Sequence, residues 1–167
     1  MATSRETLGR ILVAHHDGVY LMKFVGDVRV TLCAAVDAFL DAMLTDAEFK
    51  SVVVDLSRTI GIDSTSLGIL AKLSIRTRER FGFVPTLVST NPDITRLLTT
   101  MGFDDVFRII REPIEHRDQF GELHPLNCSE EDMRQRVLDA HRILMSLNES
   151  NREAFQDLVE TLEAAAR

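Results

Sequence analysis

The first quarter of the chain alternates β-rich runs with turn residues and then changes to a helical period. Residues 9–16 and 19–25 are rich in β-branched and aliphatic side chains, and the Asp17-Gly18 pair between them is a two-residue hairpin signal. Residues 32–44 carry apolar side chains at three- and four-residue spacing. We therefore predict an antiparallel hairpin followed by a helix that Thr31 caps.

The pattern then alternates between strands and helices. Residues 51–56 form a short, continuously apolar run, which is typical of a central strand buried on both faces. A loop follows, and a helix is predicted from Asp63-Ser64 to about residue 80. The remaining predicted elements are strands at 83–89 and 106–110 and a helix at 91–101. Because strand–helix–strand units need crossover connections, we predict an α/β domain with a mixed sheet, a hairpin first and then parallel βαβ units.

Three segments can be distinguished along the chain. Residues 1–110 form the α/β domain, residues 111–128 have prolines and no sustained period and are predicted to be a connector, and residues 129–167 return to a helical pattern. Ser129 and Ser150 each begin a capping box, so this tail is predicted to be a helical hairpin. Its two apolar stripes comprise Met133, Val137, Ala140, Leu144 and Leu147, and then Phe155, Leu158, Leu162 and Ala165.

The tail needs a packing partner, because short helices are marginally stable until their apolar stripe is buried. The stripes predict two alternatives. The tail docks on its own domain, or it pairs with the tail of a second chain and makes a dimer.

Composition and charge narrow the class of protein. Hydrophobic residues make up 45% and charged residues 27% of the chain, which is typical of a soluble globular protein. No apolar run is long enough to span a membrane, and the first residues lack a secretory signal, so a cytoplasmic location is expected. The two cysteines, Cys33 and Cys128, are expected to be free thiols. A net charge of -7 argues against nucleic acid as a partner.

The sequence gives no sign of catalysis or of a cofactor. It lacks a Gly-x-Gly-x-x-Gly motif, a phosphate-binding loop and a Gly-x-Ser-x-Gly nucleophile motif. His116, His124 and Cys128 do not have the spacing of a zinc site, so we predict no metal. The chain is therefore expected not to be an enzyme.

The most informative segment is D-S-T-S-L-G, residues 63–68, where a loop after the central strand enters a helix. The hydroxyl of Ser64 is expected at the surface there, and its neighbour Thr65 is a second exposed hydroxyl candidate. A serine at this position commonly only caps the helix, so Ser64 is not diagnostic by itself. A competing interpretation is a receiver domain that accepts phosphate on Asp55, near the end of the central strand. A receiver needs an acidic pair after its first strand to bind magnesium, and this chain has His15-His16 there.

Residues 8–110 as a whole resemble the STAS domains of anti-sigma-factor antagonists. The resemblance rests on Gly26-Asp27 after the second strand, the central strand, the D-S-T-S-L-G turn, and Met101-Gly102-Phe103 near the end. It implies that a partner serine kinase, which commonly doubles as the anti-sigma factor, phosphorylates Ser64, with Thr65 as the alternative acceptor. It also implies that a metal-dependent phosphatase removes the phosphate. Many members have glycine where this chain has Ser66.

The resemblance also implies how a switch would work. Phosphorylation adds about -1.5 to -2 charges at a surface that a partner must desolvate, so it should release the partner. The predicted partner surface is the turn and the outer face of the following helix, namely Asp63, Thr65, Ser66, Leu67, Lys72, Arg76 and Glu79. The alternative is a STAS-type interaction module that is never phosphorylated.

Overall fold

The computed structural model describes residues 8–115 and 119–165. These contain six strands, namely β1 (Arg10–His16), β2 (Val19–Val28), β3 (Ser51–Ile62), β4 (Thr86–Val88), β5 (Arg108–Ile110) and β6 (Gly121–Leu123). They form one sheet in the order β5-β4-β3-β2-β1-β6. β1 runs antiparallel to both β2 and β6. β2, β3, β4 and β5 all run parallel, and each pairs with the next in that series. The predicted mixed α/β sheet is confirmed.

The hairpin between β1 and β2 forms as its sequence predicts. Asp17 and Gly18 both have positive φ, at 49° and 83°, which is the backbone of the tight turns that match strand twist. The pairing runs from His16 opposite Val19 to Arg10 opposite Val25. The two residues at the tip thus fix the register of both strands.

Two predictions about the sheet are wrong. β3 does not end at residue 56 but continues to Ile62, because its second half keeps pairing with the end of β2 across two register shifts. The connector is not without regular structure, because Gly121–Leu123 adds β6 to the free edge of β1. Three residues pairing with a distant strand leave no periodicity that sequence analysis could detect.

Five helices accompany the sheet in the described residues: α1 (Cys33–Leu44), α2 (Ser64–Phe81), α3 (Pro92–Thr100), α4 (Glu130–Met145) and α5 (Glu149–Ala165). Thr31 does not cap α1, because residues 30–32 form a 3-10 turn that leads directly into it. α1, α2 and the sheet share one core, in which the side chains of Leu40, Leu56 and Leu70 are fully buried.

The tail docks on its own domain, as one of the two alternatives predicted. The first apolar stripe faces inward, with Ala140 at 1% and Leu144 at 0% exposure. The second stripe is only partly right, because Leu158 is 40% exposed whereas Val159 is buried. The second capping box does not form as predicted, since Asn148 rather than Ser150 accepts the amide hydrogen bond at the start of α5.

Candidate functional site

The turn between β3 and α2 is held by the side chain of Asp63. Its Oδ1 accepts a hydrogen bond from the Ser66 amide at 2.8 Å, so Asp63, not Ser64, is the N-cap of α2. Its Oδ2 accepts from the Val30 amide at 2.7 Å, which ties the turn to the segment before α1. Ser64 is consequently the first residue of α2, in a position fixed by its neighbour.

Ser64 does not present a free hydroxyl to solvent. Its Oγ lies 2.8 Å from Nε2 of His141, a residue 77 positions away on α4. Nδ1 of the same ring lies 2.7 Å from the carbonyl oxygen of Val137. Because that oxygen can only accept, Nδ1 carries a proton, and in the neutral ring Nε2 accepts the hydroxyl hydrogen of Ser64.

The histidine is part of a closed contact. His141 is only 2% exposed, and its ring packs edge-on against Phe155 of α5 with 5.0 Å between the ring centroids. The sequence predicted a surface hydroxyl at Ser64, and the structure shows a half-buried residue whose hydroxyl is hydrogen-bonded to the tail. The ring of His141 is thus held between the Ser64 hydroxyl and the aromatic ring of Phe155.

The close approach of α4 to α2 depends on one glycine. A Cβ on Gly68 would lie 2.6 Å from the Cβ of Ala140 and 2.7 Å from its carbonyl carbon, and it would also meet the carbonyl oxygen. Cβ atoms in real proteins essentially never come this close. Gly68, which the sequence offered only as part of the turn motif, therefore allows the backbones of the two helices to touch.

The other hydroxyls of the motif are buried. Thr65 is 6% and Ser66 is 4% exposed, so the prediction that Thr65 is an exposed hydroxyl is wrong. Ser66 Oγ lies 3.4 Å from the Cys33 sulfur, and burial raises the pKa of that thiol to about 11. Leu67 is 1% exposed and belongs to the core. Ser64, which is half-buried, is thus the most accessible of the three hydroxyl residues.

The charged residues predicted on the outer face of α2 have different environments. Lys72 Nζ lies 2.7 Å from a carboxylate oxygen of Asp37, and Arg76 lies 2.6 Å from one of Asp41. Both acidic partners are on α1. The sequence predicted that these two cations project freely from α2, whereas in the structure they form ion pairs with α1. Glu79 is exposed.

The structure does not support the receiver interpretation. Asp55 lies in the middle of β3 and is 1% exposed, and its Oδ1 accepts the Ser57 amide hydrogen at 2.8 Å. The prediction that it lies near the end of the strand is wrong, because β3 continues for seven residues beyond it. A carboxylate buried in a strand is poorly placed to accept a phosphoryl group.

No cluster of three or more histidine, cysteine or acidic side chains in the described ranges could hold a metal ion. His124 is exposed and Cys128 is half-buried, while His116 lies outside the described residues. Within those same ranges, no helix is long and apolar enough to cross a membrane.

The comparison with protein families identifies the domain. The STAS domain profile matches residues 10–115, which is more than half of the chain. The chain belongs to the STAS domain family. The match confirms the resemblance seen in the sequence and ends close to where α/β alternation stops, so α4 and α5 lie outside the matched region. No curated protein matches the chain significantly.

Solved structures agree with the family. An anti-sigma factor antagonist from Mycobacterium paratuberculosis superposes with a TM-score of 0.54 at 26% identity, covering 64% of this chain and 89% of that one. The anti-sigma factor antagonist SpoIIAA in its unphosphorylated form gives a TM-score of 0.52 at 12% identity, covering 77% and 95%. The second likeness concerns the fold alone. This STAS chain thus has the fold of anti-sigma factor antagonists.

Proposed function

We propose that this STAS protein is an anti-sigma factor antagonist that works by partner switching in the cytoplasm. In the unphosphorylated state it binds a partner that is both serine kinase and anti-sigma factor. Phosphorylation of Ser64 releases that partner, and a metal-dependent serine phosphatase restores binding. The chain carries no catalytic activity of its own. The similarity to an antagonist at 26% identity is the observation that carries this proposal.

The geometry at the turn supports Ser64 as the acceptor in preference to Thr65. Ser64 begins α2 and is half-buried, whereas Thr65 is buried in the helix. A phosphate on Ser64 would also lie next to the carboxylate of Asp63. The added negative charge would then be concentrated where a partner must remove water, which disfavours its binding.

In this proposal the partner binds around the turn and along α2. Glu79 remains available for contact in the docked structure, and Lys72 and Arg76 present the outer edges of their ion pairs with α1. Such exposed charges typically govern association rate and specificity more than affinity. The buried residues of the motif, Ser66 and Leu67, position the turn and do not contact a partner directly.

Phosphorylation and partner binding can be tested together. The protein is purified from its own cells, phosphate is localised by mass spectrometry, and pull-downs compare wild type with Ser64→Ala and Ser64→Asp. Ser150→Asp, on the exposed start of α5, is the matched charge control. Phosphate on Ser64, with a partner lost by Ser64→Asp alone, supports the proposal. Equal binding by all four proteins refutes the charge switch.

A second candidate is a STAS interaction module that is not phosphorylated. The hydrogen bond between Ser64 and His141 favours it, because that contact covers the hydroxyl. Absence of phosphate on Ser64 under every growth condition, together with partner binding that ignores Ser64→Asp, would establish this alternative.

A further inference from the structure

Three contacts show how α4 lies on the domain. His141 meets Ser64 and Ala140 covers Gly68, both on α2, whereas Arg136 reaches a carboxylate oxygen of Asp37 on α1 at 3.3 Å. The other oxygen of that carboxylate pairs with Lys72 of α2, so lower residue numbers on α4 lie beside higher residue numbers on α2. The two helices are therefore antiparallel, and their contact begins at Ser64, the candidate phosphoacceptor.

This interface contains several polar groups that an ordinary core avoids. His141 is buried, and Arg136 and Lys72 share the single carboxylate of Asp37. Nη1 of Arg136 is buried and has no hydrogen-bond partner among the described residues. A buried donor without an acceptor costs stability that an apolar residue would not. The contact is therefore less favourable than its area alone would suggest.

The surface under α4 has the features of a helix-binding site. Gly68 provides a flat place where a helix with a small residue can approach closely, and Asp37 accepts a basic side chain about one turn away along that helix. Ser64 at the end of the site accepts or donates a hydrogen bond. Recognition of an amphipathic helix by a groove uses such spaced contacts.

We propose that the surface formed by α1 and the first half of α2 is a docking site for a helix of the partner protein, and that α4 occupies it in the same chain as a competitor. The partner helix would present a small residue to Gly68 and a basic residue to Asp37, as α4 does. This inference rests on the proposed function. It adds that partner binding requires displacement of α4, and that phosphate on Ser64 expels α4 as well as the partner.

The geometry explains the expulsion. The Ser64 oxygen and Nε2 of His141 are at hydrogen-bond contact, so there is no space between them for a phosphoryl group. The Asp63 carboxylate already occupies the amides of Ser66 and Val30, and it adds like charge. Docking of α4 and phosphorylation should therefore oppose each other, and such coupling is reciprocal.

The first experiment needs no knowledge of the kinase. Phosphoserine is incorporated at position 64 during synthesis, and hydrogen exchange of the full chain is followed by mass spectrometry. We expect the amides of α4 and α5 to exchange at least about tenfold faster, with β2 and β3 unchanged, because the released helices are marginal alone. Phosphoserine at position 150 is the control and should leave exchange unchanged. A hairpin that stays protected with phosphate on Ser64 overturns the inference.

The second experiment tests the surface itself. Ala140→Leu puts a large side chain where α4 touches α2 and leaves the domain surface unaltered, and Ala154→Leu makes the same change on the exposed face of α5. A fluorescent peptide of residues 129–147 should bind the Ala140→Leu protein, but neither wild type nor Ala154→Leu. If Ala140→Leu impairs folding, His141→Ala combined with Arg136→Ala replaces it. No peptide binding to a folded protein whose hairpin is released overturns the inference.

The two proposals fail differently. If Ser64 carries phosphate in cells and Ser64→Asp releases the partner, yet Ala140→Leu binds that partner no more tightly than Ala154→Leu, the competitor role is wrong and the switch stands. If Ser64 is never phosphorylated and Ser64→Asp binds as wild type does, the proposed function is wrong. In that case exchange and peptide binding still report whether α4 covers a helix-binding surface.

Discussion

Replacing Gly68 with alanine should destabilise this protein, although the substitution lies inside a helix. Alanine in a helix interior is normally more favourable than glycine by about 0.5–1 kcal/mol. Here the new Cβ would lie 2.6 Å from that of Ala140 and would also meet the α4 backbone, which cannot move away as a flexible side chain could. Overpacking of this kind costs about 1–3 kcal/mol. Because the cost of overpacking exceeds the gain in helix propensity, we expect the free energy of unfolding to fall by about 1 kcal/mol.

The assay is urea unfolding followed by circular dichroism, and its control measures the helix term alone. Ala38→Gly, at an exposed position of α1, should lower the free energy of unfolding by about 0.5–1 kcal/mol. Gly68→Ala is then repeated in the Ala140→Leu background, where α4 is displaced. There the sign should reverse, because only helix propensity remains and contacting residues are not additive. A Gly68→Ala protein that is more stable than wild type would refute close packing of α4 on α2.

Three further predictions concern the turn, the thiols and the hairpin strand. Asp63→Ala removes the acceptor for two amides and should lower the free energy of unfolding by about 2–4 kcal/mol, whereas Asp63→Asn keeps one acceptor oxygen and should lose less; urea unfolding measures both. At pH 8 a thiol reagent should modify Cys128 rapidly and Cys33 only after unfolding, because burial raises the pKa of Cys33 to about 11. Burial and the hydrogen bond to Asp46 raise the pKa of Tyr20 from 10.0 to about 12. The folded state therefore favours the protonated phenol, so this stabilisation is complete below pH 10 and is lost as the pH rises toward 12, a loss that unfolding curves of Tyr20→Phe should not show.

The positions of the elements followed well from local sequence. Asp17-Gly18 specified a turn through its positive φ angles, and the helical period of residues 129–147 identified α4 and its buried stripe. Both signals arise from neighbours a few residues apart, so each can be read without knowing the rest of the chain. The same reasoning failed for β6, because a three-residue edge strand is specified by the partner strand and not by its own period.

The resemblance to STAS domains also came from sequence, because it depends on the order of strands, helices and one turn motif. That order was enough to select Ser64 as the candidate acceptor, and the assignment of the acceptor stays a prediction. Sequence could not show which hydroxyls are buried. Thr65 and Ser64 are adjacent, yet their burial differs because α2 turns by about 100° per residue and only the packed structure decides which direction faces the core.

The sequence by itself determined the strand and helix order, the family, and the presence of a helical tail that needed a partner. Only the tertiary structure decided where that tail goes. The contact of His141 with Ser64 joins residues 77 positions apart, and neither residue type nor local period reports such a pairing. Helix docking is chosen by the fit of complete surfaces, here Gly68 against Ala140 and Asp37 between two cations, and that fit exists only once the chain has folded.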